Sequence, residues 1–252
     1  MFEGKTVAVI IPALNEAENL ADVIGGIPSF VDRIVVADNG STDGTGQIAI
    51  KTGAELTMTT EAGYGRACLA AIEHLENTGK SPQIIIFMAG DGSDDPDQMD
   101  WLVKPLAKGE ALMSLASRKT GRVEQGAMTP LQKAGSQLAV WLIKRIWGVS
   151  YTDLAPYRAI TWDCLLGLGM CDKDFGWTVE MQIKAAQNGV TFVEIPAKYR
   201  QRRHGRSKVG GSIKGSLMAG KRILGWIFSQ FLQGIVSQKK LPAAKPPKNL
   251  PR

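Results

Sequence analysis

The sequence predicts an α/β fold built on a mostly parallel sheet. Three observations carry that expectation. Apolar, β-branched runs alternate with helical segments through residues 5–120. Several of these runs are continuous rather than alternating, as in strands covered on both faces. Two of them open into acidic, glycine-rich loops, and open α/β sheets bind ligands beyond the carboxyl ends of their strands.

Residues 6–11 form the first predicted strand, and Pro12 turns the chain after it. Asn15 is placed to cap a helix running to about residue 27, with Glu16 and Glu18 in a first turn that suits the helix dipole. Residues 33–37 read as the second strand, 45–52 as a helix stopped by Gly53, and 54–58 as a short third strand. A helix over 64–76 precedes a fourth strand over 83–88. Pro96 or Asp97 starts a helix to residue 108, and 111–116 returns as a strand. This rhythm predicts a sheet with helices on both faces.

The rest is less regular. Residues 129–146 read as a helix whose apolar face includes Leu138, Trp141, Leu142 and Ile146. Residues 162–169 and 178–187 read as helices, 190–195 as a strand, and 198–202 as a further short strand. Residues 212–235 repeat apolar side chains at helical spacing between Lys214, Lys221 and Arg222. That pattern suits a helix at a membrane surface or one packed on the protein, and a single helix can do both. Residues 238–252 are Lys- and Pro-rich and are expected to be disordered. Residues 1–237 are expected to form one domain: a nucleotide-binding half (5–120), an acceptor half (121–210) and the amphipathic helix (212–235).

Composition narrows the class. The chain has 252 residues, 44% hydrophobic and 21% charged, enough to bury a core. Cys68, Cys164 and Cys171 have no metal-ligand spacing and no disulfide pattern, which favours a reducing compartment. No signal-peptide layout and no transmembrane stretch is expected. The net charge of +6 is concentrated late in the chain, where it fits an anionic membrane, a phosphorylated substrate or nucleic acid. No nucleic-acid module is visible, so no nucleic-acid partner is expected. A dinucleotide-binding dehydrogenase is disfavoured because Pro12-Ala-Leu-Asn15 occupies the turn that would carry Gly-x-Gly-x-x-Gly.

The chemistry lies in the loops. Asp38-Asn-Gly-Ser-Thr-Asp-Gly-Thr45 offers a carboxylate for a ribose or base edge and small residues for close backbone approach. Ala89-Gly-Asp-Gly-Ser-Asp-Asp-Pro96 offers a second acidic loop. Together they suggest one shared site for a nucleotide and a metal. Glu16 serves either a nucleotide or the helix dipole, and Asp94 and Asp95 either assist a metal or cap the next helix. His74 is expected to be structural or solvated. Trp141 and Trp147 are expected to pack the core rather than touch lipid.

These motifs, in this order, resemble family 2 glycosyltransferases of the GT-A fold. Ala62-Gly-Tyr-Gly-Arg-Ala67, Ser117-Arg118, Tyr151-Thr-Asp-Leu-Ala-Pro-Tyr-Arg158, Trp177-Thr-Val-Glu-Met-Gln182 and Tyr199-Arg-Gln-Arg-Arg-His-Gly-Arg-Ser-Lys208 extend the resemblance to the polyprenyl- and dolichol-phosphate sugar synthase branch. The resemblance implies sugar transfer from a nucleotide sugar to a polyprenyl phosphate, as an inverting single displacement at the cytoplasmic membrane face. It implies that Pro12, Asn15, Glu16, Asp38, Gly40, Ser41, Asp43 and Gly65 surround the donor, with Asp91 on a Mg²⁺ or Mn²⁺ ion. It implies that Arg118, Glu180, Arg202, Ser207 and Lys208 serve the reacting groups.

Asp153 and Arg158 are open to structural roles, Arg158 by pairing with an internal acid. Glu180 is open to being a generic helix residue, and the basic loop to being a solvated hairpin. The sequence departs from the branch at Ala89, where the first acid of Asp-x-Asp is expected, and at Ser93 in place of a Gln. Two other readings follow: the same donor with a soluble acceptor, or a nucleotide-sugar-binding protein with reduced catalysis. A homo-oligomer is left open.

Overall fold

The computed structural model describes residues 1–59, 61–205 and 213–238. Its strands are β1 (Val7–Ala13), β2 (Arg33–Asp38), β3 (Glu55–Met58), β4 (Ile84–Phe87), β5 (Met113–Val123), β6 (Arg158–Thr161) and β7 (Phe192–Tyr199). Its helices are α1 (Ala17–Gly25), α2 (Thr45–Lys51), α3 (Tyr64–Asn77), α4 (Met99–Ala107), α5 (Pro130–Trp147), α6 (Trp162–Leu168), α7 (Trp177–Gln187) and α8 (Ile213–Gln238).

All seven strands join one sheet in the order β3-β2-β1-β4-β6-β5-β7. Only β6 runs antiparallel to its neighbours. The continuous apolar runs have the expected cause, since both faces of the sheet are buried. In β1, Ala8 and Ile10 enter one core while Val7, Val9 and Ile11 enter the other. In β4, Ile85 and Phe87 divide from Ile84 and Ile86 in the same way. The first core is roofed mainly by α3, α5, α6 and α7, the second by α1 and α4.

The structure corrects several expectations. Pro12 lies within β1, paired in register with Ala37, and does not turn the chain. The turn falls at Asn15, whose φ of 51° is a left-handed conformation that Asn tolerates. Asn15 therefore precedes the cap position, which Glu16 occupies. Residues 190–195 and 198–202 are not two strands: β7 runs from Phe192 to Tyr199 and pairs with a lengthened β5. A bulge between Ser117 and Arg122 keeps that pairing, and Gly121 is needed there because a Cβ would strike the Ala197 backbone. On α5 the buried face is Ser136, Ala139, Val140 and Ile143, leaving Leu138 and Trp141 exposed. Trp141 thus lies outside the core, with the Arg145 guanidinium 6.0 Å from its ring centroid. Trp147 packs, half-buried, against the first core.

Helix α8 lies against α5 and α7. Ala219 and Ile227 are buried, while Leu217, Met218, Leu224, Phe228, Phe231 and Leu232 face outward. Asp172 fastens this helix to the domain. Its Oδ2 accepts from the Arg222 guanidinium and the Trp226 indole N–H, while its Oδ1 accepts from the backbone of Asp174 and Gly176. Among the described residues, no helix is long and apolar enough to cross a membrane. The tail expected to be disordered falls almost wholly outside the described residues.

Candidate active site

Parallel pairing places the ends of β1, β2 and β4 along one edge of the sheet. Ala13 is in register with Asp38, and Ile10 with Phe87. The loops after these strands carry the acids singled out from the sequence.

The first two loops brace each other. Asn15 N–H donates to Ser41 Oγ at 2.8 Å, and Thr42 N–H donates to Asn15 Oδ1 at 2.8 Å. Asp43 accepts from Ala17 N–H at 3.0 Å and from Thr45 N–H and hydroxyl. Burial opposes ionisation of Asp43, but these bonds hold its carboxyl below the ordinary value. Asn15, Ser41 and Asp43 are therefore bound to one another's loops, which fixes the loop geometry. Asp38 is buried, and its Oδ1 accepts from Ser41 N–H at 2.8 Å. Gly40 takes a φ of 83°, and Gly46 packs against Asp38 Oδ2.

The third loop meets the basic segment after β7. Arg202 Nη2 donates to Glu16 Oε1 at 2.6 Å and to Asp91 Oδ2 at 3.2 Å. Burial opposes the charge on Arg202, yet Asp91 and Glu16 raise its pKa. Asp91 Oδ1 accepts from Ser93 N–H at 3.0 Å and from the Ser93 hydroxyl at 2.6 Å. Arg200 N–H donates to Ser93 O at 2.8 Å, and the Arg200 guanidinium lies 3.1 Å from Asp95. Arg200 and Arg202 are thus bound to the acidic loop rather than freely solvated. Asp95 caps the 3₁₀ turn at Pro96–Gln98, while Asp94 accepts from Ala89 N–H at 2.9 Å. Burial pushes the Asp94 carboxyl up to about 7. Ser207 and Lys208 lie outside the described residues.

Other expected site residues are turned to packing. Arg118 makes a paired contact with Asp153 and also meets Leu154 O, which occupies the guanidinium with protein acceptors. Glu180 is fully buried, and its two oxygens accept from Cys171 and Asp172 N–H at 2.8 Å each. Lys184 lies 2.8 Å from the same carboxylate. Glu180 therefore supports the 171–172 turn from within the core. Gly65 packs on that turn, and a Cβ there would run into the Asp172 carbonyl. Its smallness serves this protein contact. Among the described residues Arg158 hydrogen-bonds to no acid: it donates to Ala155 O, Thr178 O and Gln182 Oε1. Burial lowers its pKa to about 10. His74 of α3 pairs with Glu55 of β3, beside Arg33 of β2, in a structural cluster.

Two residues were missed. Asn39 Oδ1 accepts from Gly63 N–H at 2.9 Å and from the Thr59 hydroxyl, tying the Asp38 loop to the segment before α3. Its place beside Asp38 in the motif was the available signal. Asn19 donates to Glu16 Oε2 and to His204 O, and accepts from His204 N–H. Its position one turn beyond Glu16 was the corresponding signal.

The mostly parallel, seven-stranded sheet with acidic loops at its carboxyl edge is a GT-A-type fold. The chain belongs to glycosyl transferase family 2, whose profile matches residues 8–161. It is 33% identical over 217 residues to an uncharacterized glycosyltransferase of Mycobacterium tuberculosis, covering 86% of this chain and 95% of that one. It is 32% identical over 224 residues to the undecaprenyl-phosphate mannosyltransferase of Micrococcus luteus, covering 83% and 89%. Among solved structures it resembles glucosyl-3-phosphoglycerate synthase from Mycobacterium tuberculosis in complex with Mn²⁺, UDP-glucose and phosphoglyceric acid. That match has a TM-score of 0.70 at 22% identity and covers 90% of this chain and 80% of that one.

Proposed function

We propose that this protein transfers a sugar from a UDP- or GDP-linked donor to a polyprenyl-phosphate-type lipid at the inner face of the cytoplasmic membrane. The observation that carries this reading is the meeting of Glu16, Asp91 and Arg202 at the carboxyl edge of the sheet, beside the Asp38 loop. The similarity to an undecaprenyl-phosphate mannosyltransferase supports the lipid acceptor.

The reaction is one displacement with inversion. An acceptor phosphate oxygen attacks the anomeric carbon. The bond from that carbon to the donor diphosphate breaks, and the electron pair leaves with the nucleoside diphosphate. A phosphate acceptor is already ionised near neutral pH, so the step needs no general base. The charge developing on the leaving group is met by cations, and Arg202 is one that the protein supplies.

A divalent cation fits this edge in a limited way. Among the described residues, no group of three or more His, Cys, Asp or Glu converges as a metal cage. Yet Glu16 Oε1 and Asp91 Oδ2 both point at one cationic nitrogen of Arg202. One or two carboxylates plus substrate phosphates are the usual donors for Mg²⁺. Asp91 would hold Mg²⁺ or Mn²⁺ together with the donor phosphates, and the ion would supply Lewis-acid stabilisation of the leaving diphosphate.

The outward face of α8 supports peripheral membrane attachment. Leu217, Leu224, Phe228 and Phe231 recur every few residues along it, near Lys221. Leu138 and Trp141 are exposed on the neighbouring α5, with Lys144 and Arg145. Apolar side chains interleaved with cations suit an anionic leaflet.

The test is incubation with a panel that includes UDP-glucose and GDP-mannose, Mg²⁺ or Mn²⁺, and undecaprenyl phosphate, read by mass spectrometry. A glycosylated lipid phosphate is expected. No glycolipid from any donor overturns the reading. The phosphoglyceric acid held by the structurally similar enzyme favours a second reading, a soluble phosphorylated acceptor. Product on phosphoglyceric acid but not on lipid selects it.

A further inference from the structure

We infer that Arg202 is a built-in competitor for the cation position at Asp91, so that a divalent ion enters with the donor and not before it. The inference rests on the proposal that this edge receives the donor diphosphate, and it concerns the order in which the charges assemble there.

The geometry singles out one point. Asp91 has two carboxylate oxygens, and Ser93 occupies Oδ1 through its N–H and its hydroxyl. Oδ2 is the oxygen turned toward Arg202, with Nη2 at 3.2 Å and Nε at 3.3 Å. The same Nη2 lies 2.6 Å from Glu16 Oε1. One guanidinium nitrogen therefore stands where two carboxylate oxygens converge. That is the place a divalent cation would take, and the two cannot share it.

The guanidinium is placed there by its backbone. Before it, Arg200 N–H is bonded to Ser93 O. After it, His204 exchanges bonds with Asn19, and Arg203 reaches Asp22 at 2.7 Å. The segment is thus tied to the acidic loop on one side and to α1 on the other. The side chains of Arg202, Glu16 and Asp91 are 13%, 7% and 19% exposed, so the charges interact with little screening by water. Ala89 supplies no further carboxylate to tip the balance toward a metal.

A bound diphosphate changes that balance. Its oxygens attract the guanidinium, which grips phosphate through parallel hydrogen bonds. Once Arg202 turns to phosphate, Asp91 Oδ2 is open to an ion that the phosphates also ligate. Removing the guanidinium has the opposite effect from removing an ordinary site residue. It leaves two converging carboxylates and raises affinity for the metal alone.

The experiment is titration of the full chain with Mn²⁺ alone, followed by the electron paramagnetic resonance of free Mn²⁺, and then with UDP or GDP present. Wild type is expected to bind Mn²⁺ weakly alone and strongly with the nucleotide. Arg202→Met is expected to bind Mn²⁺ alone about tenfold more tightly than wild type. Arg202→Lys keeps a cation near the same point and is expected to stay close to wild type. Asp91→Asn in the Arg202→Met background is expected to remove the gain. Circular dichroism melting checks that each variant is folded. Wild type binding Mn²⁺ alone as tightly as folded Arg202→Met overturns the inference. Failure of both UDP and GDP to bind wild type overturns the donor reading instead, and the comparison with Mn²⁺ alone still decides the competition.

Discussion

Arg118 Nε donates to Asp153 Oδ2 at 2.7 Å while its Nη2 donates to Asp153 Oδ1 at 2.9 Å. The pair joins β5 to the segment leading into β6, and the carboxylate is almost wholly buried. Ser136 adds a bond to Oδ1 at 2.6 Å from α5. Burial opposes ionisation of Asp153, but Arg118 and Ser136 hold its carboxyl below the ordinary range.

Removing one partner of such a pair leaves an uncompensated charge. Arg118→Met and Asp153→Leu alone are each expected to lower stability by about 3–5 kcal/mol. The double variant Arg118→Met, Asp153→Leu is expected to lose less than the sum of the single changes. Urea unfolding of the four proteins measures this. Additive losses would show that the pair is not coupled.

Asp94 makes stability depend on pH. Burial pushes its carboxyl up to about 7, aided by the charge on Asp91 and opposed by the bond from Ala89 N–H. An unfolded aspartate ionises near ~3.9. Between these values the folded protein holds a proton that the unfolded chain has released. Stability is therefore fully present below about pH 4 and is lost as pH rises toward 7. Asp94→Asn keeps an acceptor for Ala89 and does not titrate. From about pH 4 to pH 8 the wild type is expected to fall relative to this variant by roughly 1–4 kcal/mol. Parallel stability–pH profiles would contradict the assignment.

Gly65 links the start of α3 to the turn at Asp172. Arg66 N–H donates to Lys173 O at 3.1 Å beside it, so the two backbones touch. A methyl group at Gly65 has no room, and the obstacle is backbone rather than a flexible side chain. Gly65→Ala is expected to destabilise by roughly 1–3 kcal/mol, the range of overpacked sites. It should also increase hydrogen exchange at residues 171–174. Wild-type stability in this variant would mean that the two segments separate easily.

The parts of this architecture that were legible share one property: they are local. Val7, Val9 and Ile11 against Ala8 and Ile10 announce a strand buried on both faces, and no distant residue alters that. Strand β6 was missed because Arg158-Ala-Ile-Thr161 is short, begins with a buried cation, and runs directly into α6 at Trp162. It is a strand because β4 and β5 flank it. At the site, Asp91 and Arg202 were legible as charged loop residues, but their meeting spans 111 positions of sequence. Arg118, Glu180 and Gly65 were legible as unusual residues. Which way they face is decided by Asp153 and by the backbone of residues 171–174, and no periodicity reports that.

Asp91 separates chemistry from folding. Its side chain is partly exposed at the sheet edge, and Glu16 still engages Arg202 if it is lost. Asp91→Ala is expected to abolish transfer, a loss of at least about a hundredfold, or roughly 2.7 kcal/mol in transition-state stabilisation. The melting temperature should change by no more than a few degrees. Normal turnover in this variant would remove Asp91 from the reaction.

The two faces of α8 predict opposite phenotypes. Trp226 points inward, where its indole meets Asp172 and Gly176 leaves no space for a Cβ between them. Phe228 points outward and is 62% exposed. Trp226→Ala is expected to loosen the helix and lower stability by about 3–5 kcal/mol, as for other large aromatic truncations. Phe228→Glu is expected to leave stability unchanged and to weaken binding to anionic vesicles. A buried Phe contributes about 1.5–3 kcal/mol, so the loss should be at least about tenfold. Lys221→Glu should weaken binding further, and its effect should shrink as salt is raised because screening shortens the reach of charge. Flotation with vesicles of anionic and of neutral lipid reads all three variants. If Phe228→Glu floats like wild type while Trp226→Ala does not, the outward face is not the membrane surface, and attachment depends on the packed side of the helix instead.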